Sequence, residues 1–194
     1  MITYYIILFF YIFILPDNSA IKKVQNEFIK LKSLQADFIQ ISNNKISLKG
    51  KFFFNKENHY RIELQNNTII TDGTTIWNYD KKRNRIVVSN MDNDPLAFSL
   101  KEYIFNYPAV CKITEEKTIE GKVIITLKPQ KENLNFKEVK LWLTNNFLVN
   151  KIEVKDYNGS SFAFKFNNIK IDNNINPGLF KPNKNSDAKI IDLR

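Results

Sequence analysis

The sequence predicts a mainly β (α+β) fold, an antiparallel barrel or strongly curved sheet of about eleven short strands with two helices at one mouth. Three observations predict it. Apolar and polar residues alternate at a period of two through most of residues 34–171. Turn pairs separate these runs: Asp72-Gly73, Glu120-Gly121, Asn145-Asn146 and Asn158-Gly159. Only two segments carry helical spacing, which is too little to cover a sheet on both faces.

The first helical segment places Ile21, Val24, Phe28, Leu31 and Leu34 on one stripe, with Asp17, Asn18 and Ser19 as caps. That spacing predicts about four turns. From Leu34 the period becomes two, and Leu34, Ala36 and Phe38 share a strand face. Ile46, Leu48, Gly50, Phe52 and Phe54 form the next face, opposite Ser47, Lys49, Lys51 and Phe53. Tyr60 and Ile62 follow, then Thr68–Thr71 and Thr74–Tyr79 across a two-residue turn, then Arg85–Ser89. Asp94-Pro95 caps and opens a second helix, with Leu96, Leu100, Tyr103, Ile104 and Tyr107 as its stripe and Pro108 as its end. Five further strands are expected over 112–119, 122–128, 136–144, 147–156 and 160–171. Asn176-Pro177-Gly178 has the composition of a type II turn, ahead of a Lys/Asn-rich tail.

Composition excludes several function classes. One cysteine, Cys111, permits no internal disulfide and no cysteine-based zinc site, so no metal or cofactor is expected. The single histidine, His59, removes the Ser-His-Asp and Cys-His machineries. Ser160-Ser161 has no histidine beside it in sequence, and His59 is read as a strand-edge residue. Asp92-Asn93-Asp94 lacks the glycine and terminal glutamate of a calcium loop and is read as a helix cap. Glu115, Glu116 and Glu120 fall in a hairpin with Lys112, Lys117 and Lys122 and are read as a solvated sheet face. The protein is therefore read as no enzyme. The charge is +9, but only Lys81–Arg85 clusters, so nucleic-acid binding is not expected.

Ile2–Leu15 is almost wholly apolar and shorter than the about 20 residues a helical membrane span requires. Followed by Ser19-Ala20, it reads as a secretory signal peptide over 1–20, leaving one domain over 21–194. An uncleaved anchor is the alternative. No cysteine lies in 14–24 to carry a lipid, so an exported, lipid-free product is expected.

Aromatic residues are abundant, with 16 Phe, 8 Tyr and 2 Trp. Phe52, Phe54, Tyr60 and Ile62 lie on adjacent strands, as do Phe162, Phe164 and Phe166. Periodicity leaves two readings open. The rings fill a closed core, or they line a hollow for an apolar ligand.

Four stretches resemble one known family. Leu34-Gln35-Ala36-Asp37-Phe38-Ile39-Gln40 resembles the L-x-A-x-F-x-Q segment of the periplasmic outer-membrane lipoprotein carrier (LolA) family. Gly50–Phe54 with Tyr60–Glu63 is similar to its Gly-initiated aromatic strand pair. Thr71-Asp72-Gly73-Thr74-Thr75-Ile76-Trp77-Asn78-Tyr79-Asp80 is similar to its S-D-G-x-x-(L/I)-W-x-Y-(D/N) hairpin, and Asn176–Pro182 to its closing Asn-Pro-x-x-Phe-x-Pro. The resemblance covers essentially all of 20–194 and implies an unclosed β-barrel with a helical lid over an apolar cavity. It implies a monomeric periplasmic chaperone that takes lipidated lipoproteins from an inner-membrane ABC transporter to an outer-membrane acceptor or to that membrane. Its implied acyl-chain cavity maps to Phe38, Leu48, Phe52, Phe54, Tyr60, Ile62, Trp77, Trp142, Phe162 and Phe164, under a lid helix carrying Leu96, Leu100 and Ile104. The family's basic-Pro latch corresponds here to Lys56-Glu57, with Arg61 as the next basic residue. Lysine keeps the charge of the usual arginine without its planar fork. The acceptor of the same pathway, or a lipid-binding sensor domain, would share this cavity.

Overall fold

A computed structural model describes residues 19–56, 59–91, 100–118, 120–131, 134–182 and 187–194. Residues 1–18 of the proposed signal segment and Leu96, with the expected Asp94-Pro95 helix start, lie outside the described residues.

The chain forms one twelve-stranded sheet that curls without closing, with its helices on the concave side. Helix α1, Ala20–Lys30, is one turn shorter than the apolar stripe suggests. Leu31 leaves the helical conformation while its N–H still caps the Glu27 and Phe28 carbonyls. Leu34 is claimed by strand pairing on both sides, to Phe54 and to Ile171. A strand flanked by two ladders satisfies more backbone groups than a frayed last helical turn.

The strands are β1 (Ser33–Ser42), β2 (Lys45–Asn55), β3 (Tyr60–Leu64), β4 (Asn67–Thr71), β5 (Thr75–Asp80) and β6 (Arg85–Asn90). They continue as β7 (Cys111–Lys117), β8 (Val123–Pro129), β9 (Glu138–Leu143), β10 (Val149–Lys155), β11 (Ser161–Ile171) and β12 (Lys189–Asp192). Their order in the sheet is β12-β6-β5-β4-β3-β2-β1-β11-β10-β9-β8-β7. The long β1–β11 ladder therefore joins two antiparallel meanders. Strand β12 corrects the expected count. The tail adds it in parallel to β6, making the sheet mixed.

Three turns differ from their sequence-based assignments. The Asp72 turn spans three residues, because Asp72 Oδ1 accepts from the backbone N–H groups of Thr74 and Thr75 and from the Thr74 hydroxyl. Burial raises the Asp72 pKa, but these bonds outweigh it and hold the carboxyl below its ordinary value. The β9–β10 turn includes Phe147, which takes a positive φ of 56°, so β10 starts later than expected. Asn176 caps a single 3₁₀ turn, Pro177–Phe180, by accepting the Gly178 N–H at 2.8 Å.

Among the described residues the second helical stretch covers Leu100 to Val110, and Pro108 lies inside it rather than ending it. Residues Glu102–Asn106 widen into a π-turn, leading into a short α2, Tyr107–Val110. Proline has no N–H to give the Ile104 carbonyl. Gln25 Nε2 of α1 donates to that oxygen instead, at 2.9 Å, and ties the two helices together. The N-terminal end of α1 is also held from outside, since the Ile21 N–H donates to Glu115 Oε1 of β7 at 3.2 Å. Glu115 is thus more than the solvated strand residue its spacing suggests.

Candidate functional site

The concave face carries two kinds of apolar surface. On β8, β9 and β10 it is aliphatic: Ile125, Leu127, Val139, Leu141 and Ile152 are all 0% exposed. On β1, β2, β3 and β11 it is aromatic. Phe52 sits across from Ala36 on one side and Ile62 on the other. Phe38 lies between Gly50 and Phe166. Small residues in register with rings leave each ring room to lie over its neighbour. Phe52 meets Phe166 at 5.2 Å between centroids, and Phe38 meets Phe164 at 5.7 Å. Gly50 is needed for another reason too, since a Cβ there would stand 1.9 Å from the Glu63 carbonyl oxygen.

Exposure rises along these strands. Phe38, Phe52, Phe54, Tyr60 and Ile62 are buried, while Phe162 and Phe164 are half-buried. Level with Phe164 across Gln40, Leu48 is 41% exposed, near the hairpin end of β1 and β2. The aromatic bank is thus packed near α1 and opens toward the hairpin. Eight of the ten cavity residues named from sequence share this face. Trp77 and Trp142 do not, and their placement is corrected.

Trp77 points to the convex side, where it packs with Tyr79 against Ile86, Val88 and Ala188. Trp142 also faces outward, with Lys151 Nζ 3.9 Å above its ring. Alternation explains both. Their strand neighbours Ile76, Leu141 and Leu143 are buried in the main core, which turns the tryptophans the other way.

Arg61 is likewise on the convex face. Its Nε donates to Glu63 Oε1 at 2.7 Å and its Nη1 to the Leu179 carbonyl at 3.1 Å, so it anchors the C-terminal 3₁₀ turn. Lys56 sits on the helical side. It lines a cleft of about 290 Å³ with Phe28, Leu31, Phe54, Lys101 and Phe105, beneath α1 and the second helical stretch. Phe28 bridges this cleft, 5.2 Å from the Phe54 ring and 5.8 Å from Phe105. Leu100 and Ile104 of the expected lid are buried against the main core.

Phe105 was not legible as a site residue, since it falls beside the helical stripe. The π-turn rotates it onto Phe28. Tyr103 and Tyr107 stack edge to face at 5.3 Å, and burial raises both phenol pKa values, so they act as apolar surface. Burial also raises the Cys111 thiol, which disfavours thiolate chemistry. Among the described residues no helix is long and apolar enough to cross a membrane. The arrangement can enclose apolar chains and present a cationic rim at Lys56 and Lys101.

Comparisons with known proteins agree with this fold. The family model described as outer membrane lipoprotein carrier protein LolA matches residues 29–183. An outer-membrane lipoprotein carrier protein of Francisella tularensis subsp. novicida is 23% identical, over 90% of this chain and 87% of its own. Another, from Actinobacillus pleuropneumoniae, is 22% identical over 92% of this chain and 86% of its own. Among solved structures, an uncharacterized conserved protein from Thermus thermophilus superposes with a TM-score of 0.61 at 15% identity, covering 90% of this chain and 99% of that one. MucB superposes with a TM-score of 0.57 at 12% identity, over 89% of this chain and 66% of that one. At such identities these two likenesses speak to the fold alone. With the model match spanning β1–β11 and the second helical stretch, the chain belongs to the LolA family of outer membrane lipoprotein carrier proteins.

Proposed function

We propose that this protein is a periplasmic chaperone that shelters the acyl chains of lipidated lipoproteins on its aromatic concave face and carries them to the outer membrane. Family membership supports a lipoprotein-carrier or lipid-binding role. The observation that carries the finer reading is the graded aromatic bank, from buried Phe52 through half-buried Phe164 to exposed Leu48. Each methylene exposed to water costs about 0.8 kcal/mol, so several acyl chains require an enclosed path across an aqueous compartment. Rings supply that cover with little rotamer entropy to lose.

In this reading residues 1–20 are removed on export, and 21–194 act as a monomer. An inner-membrane lipoprotein-releasing ABC transporter loads the protein, and an outer-membrane acceptor or the membrane itself receives the cargo. The residues offered for the acyl chains are Phe38, Leu48, Phe52, Phe54, Tyr60, Ile62, Phe162 and Phe164. Lys56, beside Phe28 and Phe105, is the residue offered for holding the helices over them.

Native mass spectrometry of the protein purified from periplasm tests the proposal. The expected spectrum contains a polypeptide lacking about its first 20 residues, bound to acylated protein. Full-length protein retained on inner membranes, or a periplasmic form carrying no acylated cargo under any growth condition, would refute it.

A further inference from the structure

The convex face of the sheet carries a feature that the concave site does not use. Strand registers place Lys49, Ile39, Lys165, Lys151, Trp142 and Ile124 side by side, one from each of β2, β1, β11, β10, β9 and β8. At the usual strand spacing the row is about 24 Å long. It contains three lysines and three apolar residues, and its first carboxylate is Glu116, on the edge strand β7 beside Ile124. Lys49 is exposed, and the other five are half-buried.

Two details make the row unlike an ordinary solvated face. Lys151 and Lys165 are directly cross-strand, where like charges repel and cost stability. Only Lys151 is compensated, by Glu153 Oε2 at 2.6 Å and by the Trp142 ring. Among the described residues, neither Lys49 nor Lys165 forms an ion pair. The second detail is the outward placement of Ile39, Ile124 and Trp142, where solvent-facing strand positions ordinarily carry polar side chains. Lysine stems bordering an indole and two aliphatic side chains suit a surface that is anionic at its face and apolar just beneath.

We propose that this row is a docking surface for an anionic phospholipid bilayer. The lysines meet headgroup phosphates while Trp142, Ile39 and Ile124 rest at the interface. Attraction of this kind is weak per residue and fades beyond a Debye length, so it concentrates the protein at a membrane without anchoring it. The concave face stays turned away and accessible. This inference does not depend on which cargo, if any, the concave face takes.

Vesicle sedimentation tests it, with neutral phosphatidylcholine vesicles compared with vesicles containing about 30% phosphatidylglycerol. The protein is expected to partition onto the anionic vesicles at about 0.05 M salt and to leave them at about 0.5 M. The triple variant Lys49→Gln/Lys151→Gln/Lys165→Gln is expected to weaken partitioning roughly 100-fold. A control triple of equal charge, Lys82→Gln/Lys181→Gln/Lys189→Gln, uses exposed lysines away from the row and should change it less than about threefold. In a Trp77→Phe background, emission from Trp142 should shift to the blue on anionic vesicles. Equal losses in the two triples, equal binding to neutral vesicles, or unshifted Trp142 emission would each overturn the proposal. So would a row variant that loses binding to duplex DNA while keeping its vesicle binding.

Discussion

The aliphatic bank on β8–β10 and the aromatic bank on β1–β3 and β11 belong to one concave face, yet they are finished differently. Ile125, Leu127, Val139, Leu141 and Ile152 are wholly enclosed by their neighbours and the helices. Branched aliphatic side chains from facing strands interdigitate to crystal-like density and leave nothing to solvent. The aromatic bank tiles instead of interlocking, with ring centroids 5.2–6.2 Å apart around Phe38 and Phe52. Its cover fades toward the hairpin, where Phe162, Phe164 and Leu48 are part open. In the proposed reading the first bank is a foundation and the second a surface held ready, able to exchange ring–ring contact for contact with something apolar.

Leu141→Ala would break this comparison most directly. Truncating a side chain with no exposure removes buried methyl groups and leaves a cavity, and the expected loss is about 3 kcal/mol in chemical denaturation. A loss below about 1 kcal/mol would mean that the β8–β10 bank is as yielding as the aromatic one.

Phe164→Glu probes the other side. Its ring is half-buried against Phe38 and Phe162, so a carboxylate there can reach water. The fold should survive with a loss of about 1–2 kcal/mol, while affinity for an environment-sensitive apolar dye falls at least about tenfold. Cooperative unfolding of this variant at neutral pH would show that the rings are foundation too. Phe52→Glu is the poorer test, because Phe52 is 1% exposed and a charge there is buried without a partner.

The smallest effect sharpens the comparison at the helices. Lys56→Leu changes an exposed side chain at the cleft beside Phe28 and Phe105, and stability should stay within about 0.5 kcal/mol. Transfer of bound cargo to acceptor membranes is expected to slow several-fold, read as the rate of lipoprotein release. An unchanged rate would remove Lys56 from lid control.

The period-two alternation gave β1–β11 nearly to their ends, because a half-buried strand must place apolar side chains on one face. The apolar spacing likewise located α1, and the turn pairs located most connections. The family was legible in motifs such as Gly50–Phe54. Alternation assigns residues to opposite faces but does not say which face is concave. That choice belongs to the whole sheet, and it sent Trp77 and Trp142 outward although the resemblance assigned them to the cavity, and Arg61 although it was a candidate for the latch. Pairings distant in sequence were equally out of reach. The Pro108-freed carbonyl satisfied by Gln25, the Glu115 cap on α1, the parallel β12 and the Lys49–Lys165–Lys151 row each need segments far apart in the chain to be brought together. Local sequence sets which groups must be buried or bonded; only the closed network of registers decides which partner each one finds.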